Sequence, residues 1–89
     1  MMIENVVNKL KQIIVSDLDV DLKLEDIDLQ VSLFEGGLGF DSVIIVEFIS
    51  LIEERFKFKF SNEELDMELF ANLDLLSKFI YKKLTGNHL

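Results

Sequence analysis

The feature that most limits the fold of this chain is residues 42–56, a fifteen-residue stretch rich in apolar side chains and free of glycine and proline. Its many β-branched residues favour a strand, but the stretch is too long for a typical strand and suits a helix. Asp41 or Ser42 can cap the N-terminus of such a helix. Because apolar residues cover most of its circumference, we expect this helix to be largely buried or to present an apolar face to a partner or ligand.

Two further helices are predicted, one towards each end of the chain. Apolar residues recur at helical spacing over residues 2–16, with polar residues on the opposite face, which indicates an amphipathic helix. A last helix is expected to follow Asn72, a capping residue, and to end before Gly86, a residue typical of helix C-termini. Lysines in the C-terminal half of that helix complement its dipole.

The connection between the first two helices, residues 17–39, is the most ambiguous segment. Apolar residues alternate with aspartate and lysine over residues 17–24, and that period of two is typical of a strand. Aspartate is depleted in strands, however, and no matching partner strand lies nearby. We therefore expect a long ordered loop, a kind of segment that is usually functional. Seven of its apolar residues are expected to reach the core: Leu18, Leu22, Leu24, Ile27, Leu29, Leu33 and Phe34.

A short acidic helix is predicted over residues 63–70, capped by Ser61–Asn62. Its apolar side chains are expected to point inward: Leu65, Met67 and Leu69. The whole pattern predicts an all-α fold, a small bundle of three main helices plus one short helix, with a long loop between helices one and two. At 89 residues, the chain is expected to form a single domain over residues 1–89.

Composition argues against several classes of function. The chain has 17 acidic and nine basic residues and a net charge of −8, which opposes binding to nucleic acid or to an anionic membrane surface. It has no cysteine and a single histidine, His88, which argues against thiol chemistry, a Ser-His-Asp triad and a multi-histidine metal site. No apolar run is long enough to span a bilayer, and the N-terminus does not have the pattern of a signal peptide. We therefore expect no stable membrane insertion and a cytoplasmic location.

Residues 33–43, Leu-Phe-Glu-Gly-Gly-Leu-Gly-Phe-Asp-Ser-Val, combine a glycine-rich turn with an Asp-Ser pair at the start of the apolar helix. Taken alone, such a pair is most often a helix cap. A nucleotide-binding loop is not indicated, because the G-x-G-x-x-G spacing and a following Lys-Ser or Lys-Thr pair are missing. An EF-hand at residues 17–28 is not indicated either, because Leu22 and Asp28 replace the turn glycine and the bidentate glutamate.

The same segment resembles the phosphopantetheine attachment motif of acyl carrier proteins. That motif is an apolar residue, Gly, any residue, Asp, Ser and an aliphatic residue at the start of the second helix. Here it is Leu38-Gly39-Phe40-Asp41-Ser42-Val43. The resemblance extends over nearly the whole chain, to about Leu84, because the length, the acidity, the helix order and the long first loop also agree.

The resemblance implies that Ser42 is the attachment site of phosphopantetheine derived from coenzyme A, and that Asp41 and Gly39 belong to the same site. The positive end of a helix dipole suits the phosphate of that group. Its terminal thiol would give a chain without cysteine a thioester handle. The chain would then be a carrier and not an enzyme. We expect a monomer that is modified by a phosphopantetheinyl transferase and used by acyl-transferring or condensing enzymes of fatty-acid, polyketide or related biosynthesis.

The resemblance also implies two further groups of residues. An acyl chain between the second helix and its neighbours would contact Phe34, Val46, Ile49, Ile52, Phe60, Leu65 and Leu69. Partner enzymes would contact Phe40, Val43, Ile44, Glu47, Glu53 and Glu54, with Glu35 adding negative charge. Many fatty-acid carriers have an acid two residues after the attachment serine, where this chain has Ile44. We therefore expect a specialised carrier whose partner reads an apolar patch, with Phe40, Ile44 and Ile45 exposed.

Two alternatives remain open. The cargo could be an aminoacyl group in place of a fatty-acyl or polyketide chain. The chain could also be an unmodified helical interaction module, in which Asp41-Ser42 is only a cap and the apolar second helix docks to a partner protein. Covalent modification of Ser42 distinguishes this second alternative from a carrier.

Overall fold

The computed structural model describes residues 2–18, 20–34 and 36–86; Glu35 and His88 lie outside the described residues. Its three α-helices are α1 (Ile3–Gln12), α2 (Ser42–Phe56) and α3 (Leu73–Thr85). The described ranges contain no strand, and their β-type pairing is limited to an isolated antiparallel bridge between Ser32 and Asn72. The predicted all-α class, with a long loop between the first two helices, is confirmed.

Helix α1 is shorter than the predicted range of 2–16, because the hydrogen-bond pattern changes at residue 13. A π-helical turn, Ile13–Asp17, follows the α-helix directly. It is closed by the backbone N–H of Leu18, which donates to the carbonyl oxygen of Ile13 at 3.0 Å. In this turn the two consecutive side chains of Ile13 and Ile14 are both buried in the core.

Side-chain caps define the starts of the other two helices. The Asp41 Oδ1 atom accepts a hydrogen bond from the backbone N–H of Ile44 at 2.9 Å, and Asn72 Oδ1 accepts one from Leu75 at 2.9 Å. Helix α3 ends at Gly86, which has a left-handed backbone conformation with φ of 70°. These predicted helix boundaries are confirmed. They were predictable because each depends on the local chemistry of a capping residue.

The first connection is a loop that contains one 3₁₀ turn, Leu24–Asp26. Leu18, Ile27 and Leu33 are buried as predicted. Leu24 is exposed, contrary to expectation, because it begins the 3₁₀ turn at the surface. The remaining apolar residues of the predicted set pack against the edge of the core: Leu22, Leu29 and Phe34.

Residues 61–71 are a series of turns, so the predicted short helix over 63–70 is wrong. The Asp66 Oδ1 atom accepts a hydrogen bond from the backbone N–H of Glu68 at 2.8 Å, and such an aspartate turn competes with helical hydrogen bonding. Leu65 and Met67 are consequently exposed and do not point inward. Leu69 is half-buried against the core.

A single hydrophobic core joins the helices and the connections. Its fully buried apolar side chains come from the three α-helices, the π-helical turn and the first connection: Val6, Leu10, Ile14, Leu33, Phe48, Ile52, Leu73, Leu76 and Ile80. The Arg55 guanidinium lies 2.7 Å from the Asp17 carboxylate and so joins the end of α2 to the end of the π-helical turn. Within the described residues, each helix is too short or too polar to cross a lipid bilayer.

Candidate functional site

The loop before α2 is held in a tight fold by its own backbone. The N–H of Leu38 donates to the carbonyl oxygen of Ser32 at 2.8 Å, and the N–H of Phe40 donates to that of Leu33 at 2.8 Å. Gly36 and Gly39 have φ angles of 93° and 80°, in the left-handed region that glycine adopts without strain. The glycine-rich sequence therefore serves to turn the chain sharply into α2.

Gly37 allows the backbone of the same loop to approach the backbone of Ser32 closely. A Cβ atom at this position would overlap the carbonyl oxygen of Ser32, the acceptor of the Leu38 hydrogen bond. Only a residue without a side chain fits there. The loop can then place Asp41 and Ser42 at the start of α2 with a fixed backbone geometry.

Phe40 points into the protein and is buried, so the predicted exposed position is wrong. Its ring meets the Phe48 ring edge to face, with 6.0 Å between the ring centroids and an interplanar angle of 80°. Such pairs stabilise a core beyond their buried area alone. Phe40 thus anchors the loop to α2, and it is not positioned to contact a partner enzyme in this conformation.

Ser42 is the first residue of α2 and is exposed, and Asp41 beside it is exposed as well. The backbone N–H groups of a helix's first turn have no acceptors within the helix, and the dipole makes this end positive. The Asp41 carboxylate occupies one of these N–H groups, that of Ile44. An exposed hydroxyl at a helix N-terminus suits a phosphodiester, because the negative phosphate would lie near the positive end of the dipole.

The exposed face of α2 carries both apolar and acidic side chains. Val43 and Val46 expose 72% and 63% of their surface, and Glu47 and Glu54 are exposed on the same helix. Ile44 and Ile45 were both predicted to be exposed. Ile44 is half-buried at the edge of the core, and Ile45 is buried. The apolar part of this surface is therefore formed by the two valines.

Glu53 differs from the other acids of α2 because its carboxylate forms a hydrogen bond within the protein. Its Oε2 atom accepts a hydrogen bond from the backbone N–H of Phe60 at 2.9 Å. The carboxylate is half-buried and caps the chain as it leaves α2. Glu53 is therefore less available to a partner than Glu47 or Glu54.

The residues proposed to contact an acyl chain are not brought together as one set. Ile52 and Phe60 are buried, whereas Phe34, Ile49 and Leu69 lie at the edge of the core. The side chains of Val46 and Leu65 are exposed, so they do not line an internal cavity in this conformation. The residues that are buried or at the edge of the core remain candidates for contact with the cargo: Phe34, Ile49, Ile52, Phe60 and Leu69.

The sequence did not predict a cluster of four aromatic rings that the fold brings together. Phe60 lies at its centre, with ring centroids 4.9 Å from Phe58, 5.6 Å from Phe70 and 5.8 Å from Phe79. The alternation of Phe58 and Phe60 was visible in the sequence, but their contacts with residues ten and 19 positions further along the chain depend on the tertiary fold.

Comparison with known proteins agrees with this geometry. A family model described as "Phosphopantetheine attachment site" matches residues 8–80, which include the glycine-rich loop, all of α2 and most of α3. A search of curated proteins gives no match. Domains of this family are non-catalytic carriers to which phosphopantetheine is attached covalently. Because the match spans most of the sequence, the chain belongs to the phosphopantetheine attachment site family.

Proposed function

We propose that this chain is an acyl carrier protein and that Ser42 is the residue to which phosphopantetheine is attached. The observation that carries the proposal is the position of Ser42, an exposed hydroxyl on the first residue of α2, within the matched family region. The group supplies a terminal thiol that holds the cargo as a thioester. We further propose that residues 1–89 act as one monomeric domain in the cytoplasm.

The chain's own contribution to the modification is presentation of the hydroxyl. The Ser42 oxygen forms the new bond to phosphorus, the bond to the adenosine bisphosphate part of coenzyme A breaks, and the hydroxyl proton passes to a base of the transferase. Asp41 keeps the first turn of α2 formed and offers its second carboxylate oxygen to the transferase or its metal ion. The open N–H groups of the helix terminus favour the attached phosphate.

The cargo is proposed to be a fatty-acyl or polyketide intermediate, delivered and removed by acyl-transferring or condensing enzymes. Ile52, Phe60 and their half-buried neighbours supply apolar contacts that an aminoacyl cargo would not need. The exposed pair Val43 and Val46, with Glu47 and Glu54 beside it, is proposed as the surface that such enzymes read. Apolar contact would give affinity there, and the acids would steer a basic partner into place.

Intact-protein mass spectrometry tests the attachment site. The wild-type chain is incubated with coenzyme A and a broad-specificity phosphopantetheinyl transferase, and it should gain the mass of one phosphopantetheine. Ser42→Ala should gain none, whereas Ser50→Ala, which removes another exposed serine of α2, should be modified like the wild type. No gain under conditions that modify a control carrier would favour the unmodified interaction module.

The proposed partner surface has a separate test on the modified chain. Val46→Asp places a charge in the apolar pair, and its effect on the core should be small because Val46 is exposed. Turnover by the enzyme that loads the carrier should fall at least tenfold, while Asn8→Asp, at an exposed position on α1 outside this surface, should have less than a twofold effect. Equal turnover by both variants would contradict an apolar partner surface.

A further inference from the structure

A groove between the turns of residues 63–69 and helix α3 forms a surface that the attachment site does not use. Its volume is about 490 Å³. Leu69, Leu75 and Phe79 provide its apolar lining. Its other lining residues are four acids: Glu63, Glu64, Asp66 and Glu68. None of these lining residues belongs to α2 or to the glycine-rich loop.

Apolar side chains are unusually exposed along the segments that form this groove. Leu65, Met67 and Leu75 expose 42%, 68% and 45% of their surface. For Leu65 and Met67 the cause is local, because the aspartate turn at Asp66 replaces the helix that would have directed part of their side chains inward. Exposed apolar surface surrounded by polar residues is typical of a protein interaction site.

The acidic side of the groove keeps a negative charge in the folded chain. Glu64 is neutralised by Lys83, whose Nζ atom lies 2.6 Å from Glu64 Oε2. The ion pairs found within the described residues do not include Glu63, Asp66 or Glu68. Three carboxylates therefore remain beside an apolar lining, and a ligand that fits both must combine positive charge with apolar side chains.

We propose that this groove binds a basic amphipathic helix of a partner protein. Leu75 and Phe79 are four residues apart on α3, so they form a short apolar stripe on one face of that helix. The stripe ends at Lys83, whose Nζ atom lies 5.6 Å from the centroid of the Phe79 ring. A partner helix with apolar residues at the same spacing packs against the stripe, and its flanking lysines or arginines meet the three carboxylates. Because the surface lies outside α2, a partner bound there does not cover the helix that carries Ser42.

Charge argues against other occupants of the groove. A second copy of this chain, with a net charge of −8, would place two acidic surfaces against each other. An anionic lipid surface or a nucleic acid would be repelled for the same reason. The inference extends the proposed carrier function but does not rest on it, because the groove contains no part of the attachment site.

Two synthetic 18-residue helical peptides with the same leucine face provide the probe, one with lysines and one with glutamates on the polar face. Each is titrated into the full-length, unmodified, ¹⁵N-labelled chain and followed by NMR. The lysine peptide should bind at least tenfold more tightly than the glutamate peptide. Its chemical-shift changes should be concentrated at residues 63–69, Leu75 and Phe79. Shifts concentrated on α2, or no preference for the lysine peptide, would overturn the proposal.

Matched charge variants separate this groove from general attraction to an acidic protein. Glu63→Gln/Glu68→Gln should weaken binding of the lysine peptide at least fivefold, and Leu75→Lys at least tenfold. Glu47→Gln/Glu54→Gln removes the same charge from α2 and should change affinity less than twofold. Equal weakening by both double variants would overturn the proposal, as would a wild-type dimer that Leu75→Lys dissociates. Circular dichroism confirms that each variant is folded, and the result is independent of whether Ser42 is modified.

Discussion

The backbone N–H of Phe60 donates a 2.9 Å hydrogen bond to the Oε2 atom of Glu53, seven residues earlier. This bond joins the last turns of α2 to the chain that leaves the helix. It also fixes the position of the Phe60 ring, which lies between Phe58, Phe70 and Phe79. Glu53, which was predicted to contact a partner enzyme, therefore has a structural role.

Glu53→Ala is expected to lower the free energy of unfolding by about 1–2 kcal/mol, because it leaves a partly buried N–H without its charged acceptor. Glu53→Gln keeps an acceptor and should lose less. Glu54→Ala, at an exposed position on the same helix, should change stability by less than about 0.5 kcal/mol. Urea unfolding followed by circular dichroism measures all three, and equal losses at the two positions would contradict the structural role.

Gly37→Ala is expected to destabilise the loop before α2 by about 2 kcal/mol or more, because the new methyl group would overlap the carbonyl oxygen of Ser32. Gly36→Ala meets no atom within 4 Å and should cost about 1 kcal/mol, the strain of its left-handed backbone. Thermal unfolding gives the comparison. A larger loss for Gly36→Ala than for Gly37→Ala would show that backbone strain outweighs the steric overlap.

Helix boundaries were predictable from the sequence because they depend on neighbouring residues. Asp41, Asn72 and Gly86 act as caps through contacts within a few positions of themselves. The burial of Phe40 was not predictable, because it follows from the left-handed turn at Gly39 and from a contact with Phe48 eight residues away.

The difference between local and tertiary contacts also explains two wrong predictions, the short helix over residues 63–70 and the choice of exposed residues on α2. The pattern of acids and leucines suits a helix, but hydrogen bonding by the Asp66 carboxylate produces turns. Nine apolar residues in α2 indicated burial without showing which of them remain exposed. That choice depends on where the other segments pack, and it leaves Val43 and Val46 at the surface.

The Glu64–Lys83 contact predicts a pH dependence of stability. The hydrogen bond from Lys83, helped by one from the backbone N–H of Ser61, lowers the pKa of the Glu64 carboxyl below its usual 4.5. A lowered folded-state pKa stabilises the protein above the unfolded-state pKa, and this stabilisation is lost as pH falls through the folded-state value. The difference in unfolding free energy between wild type and Glu64→Gln should therefore be constant above about pH 5.5 and shrink below pH 4.5.

Urea titrations between pH 3 and pH 7 measure that difference, which should not exceed about 1 kcal/mol for a partly exposed pair. The same comparison in a Lys83→Met background serves as the control. Its pH dependence should be much smaller, because the main cause of the lowered pKa is removed. An unchanged pH dependence without Lys83 would contradict this assignment.

Asp41 provides a variant that separates helix capping from recognition of the attachment site. Its Oδ1 atom caps α2 by accepting the Ile44 N–H, and asparagine caps helices as well as aspartate does. Asp41→Asn should therefore keep its stability within about 0.5 kcal/mol of the wild type, whereas Asp41→Ala should lose about 1 kcal/mol.

Only the carboxylate can offer a negative charge to the transferase and its metal ion. Asp41→Asn should consequently be modified at Ser42 at least tenfold more slowly at limiting transferase, as measured by intact mass over time. A wild-type rate for Asp41→Asn, with a slow rate only for Asp41→Ala, would mean that the transferase needs the capped helix and not the charge.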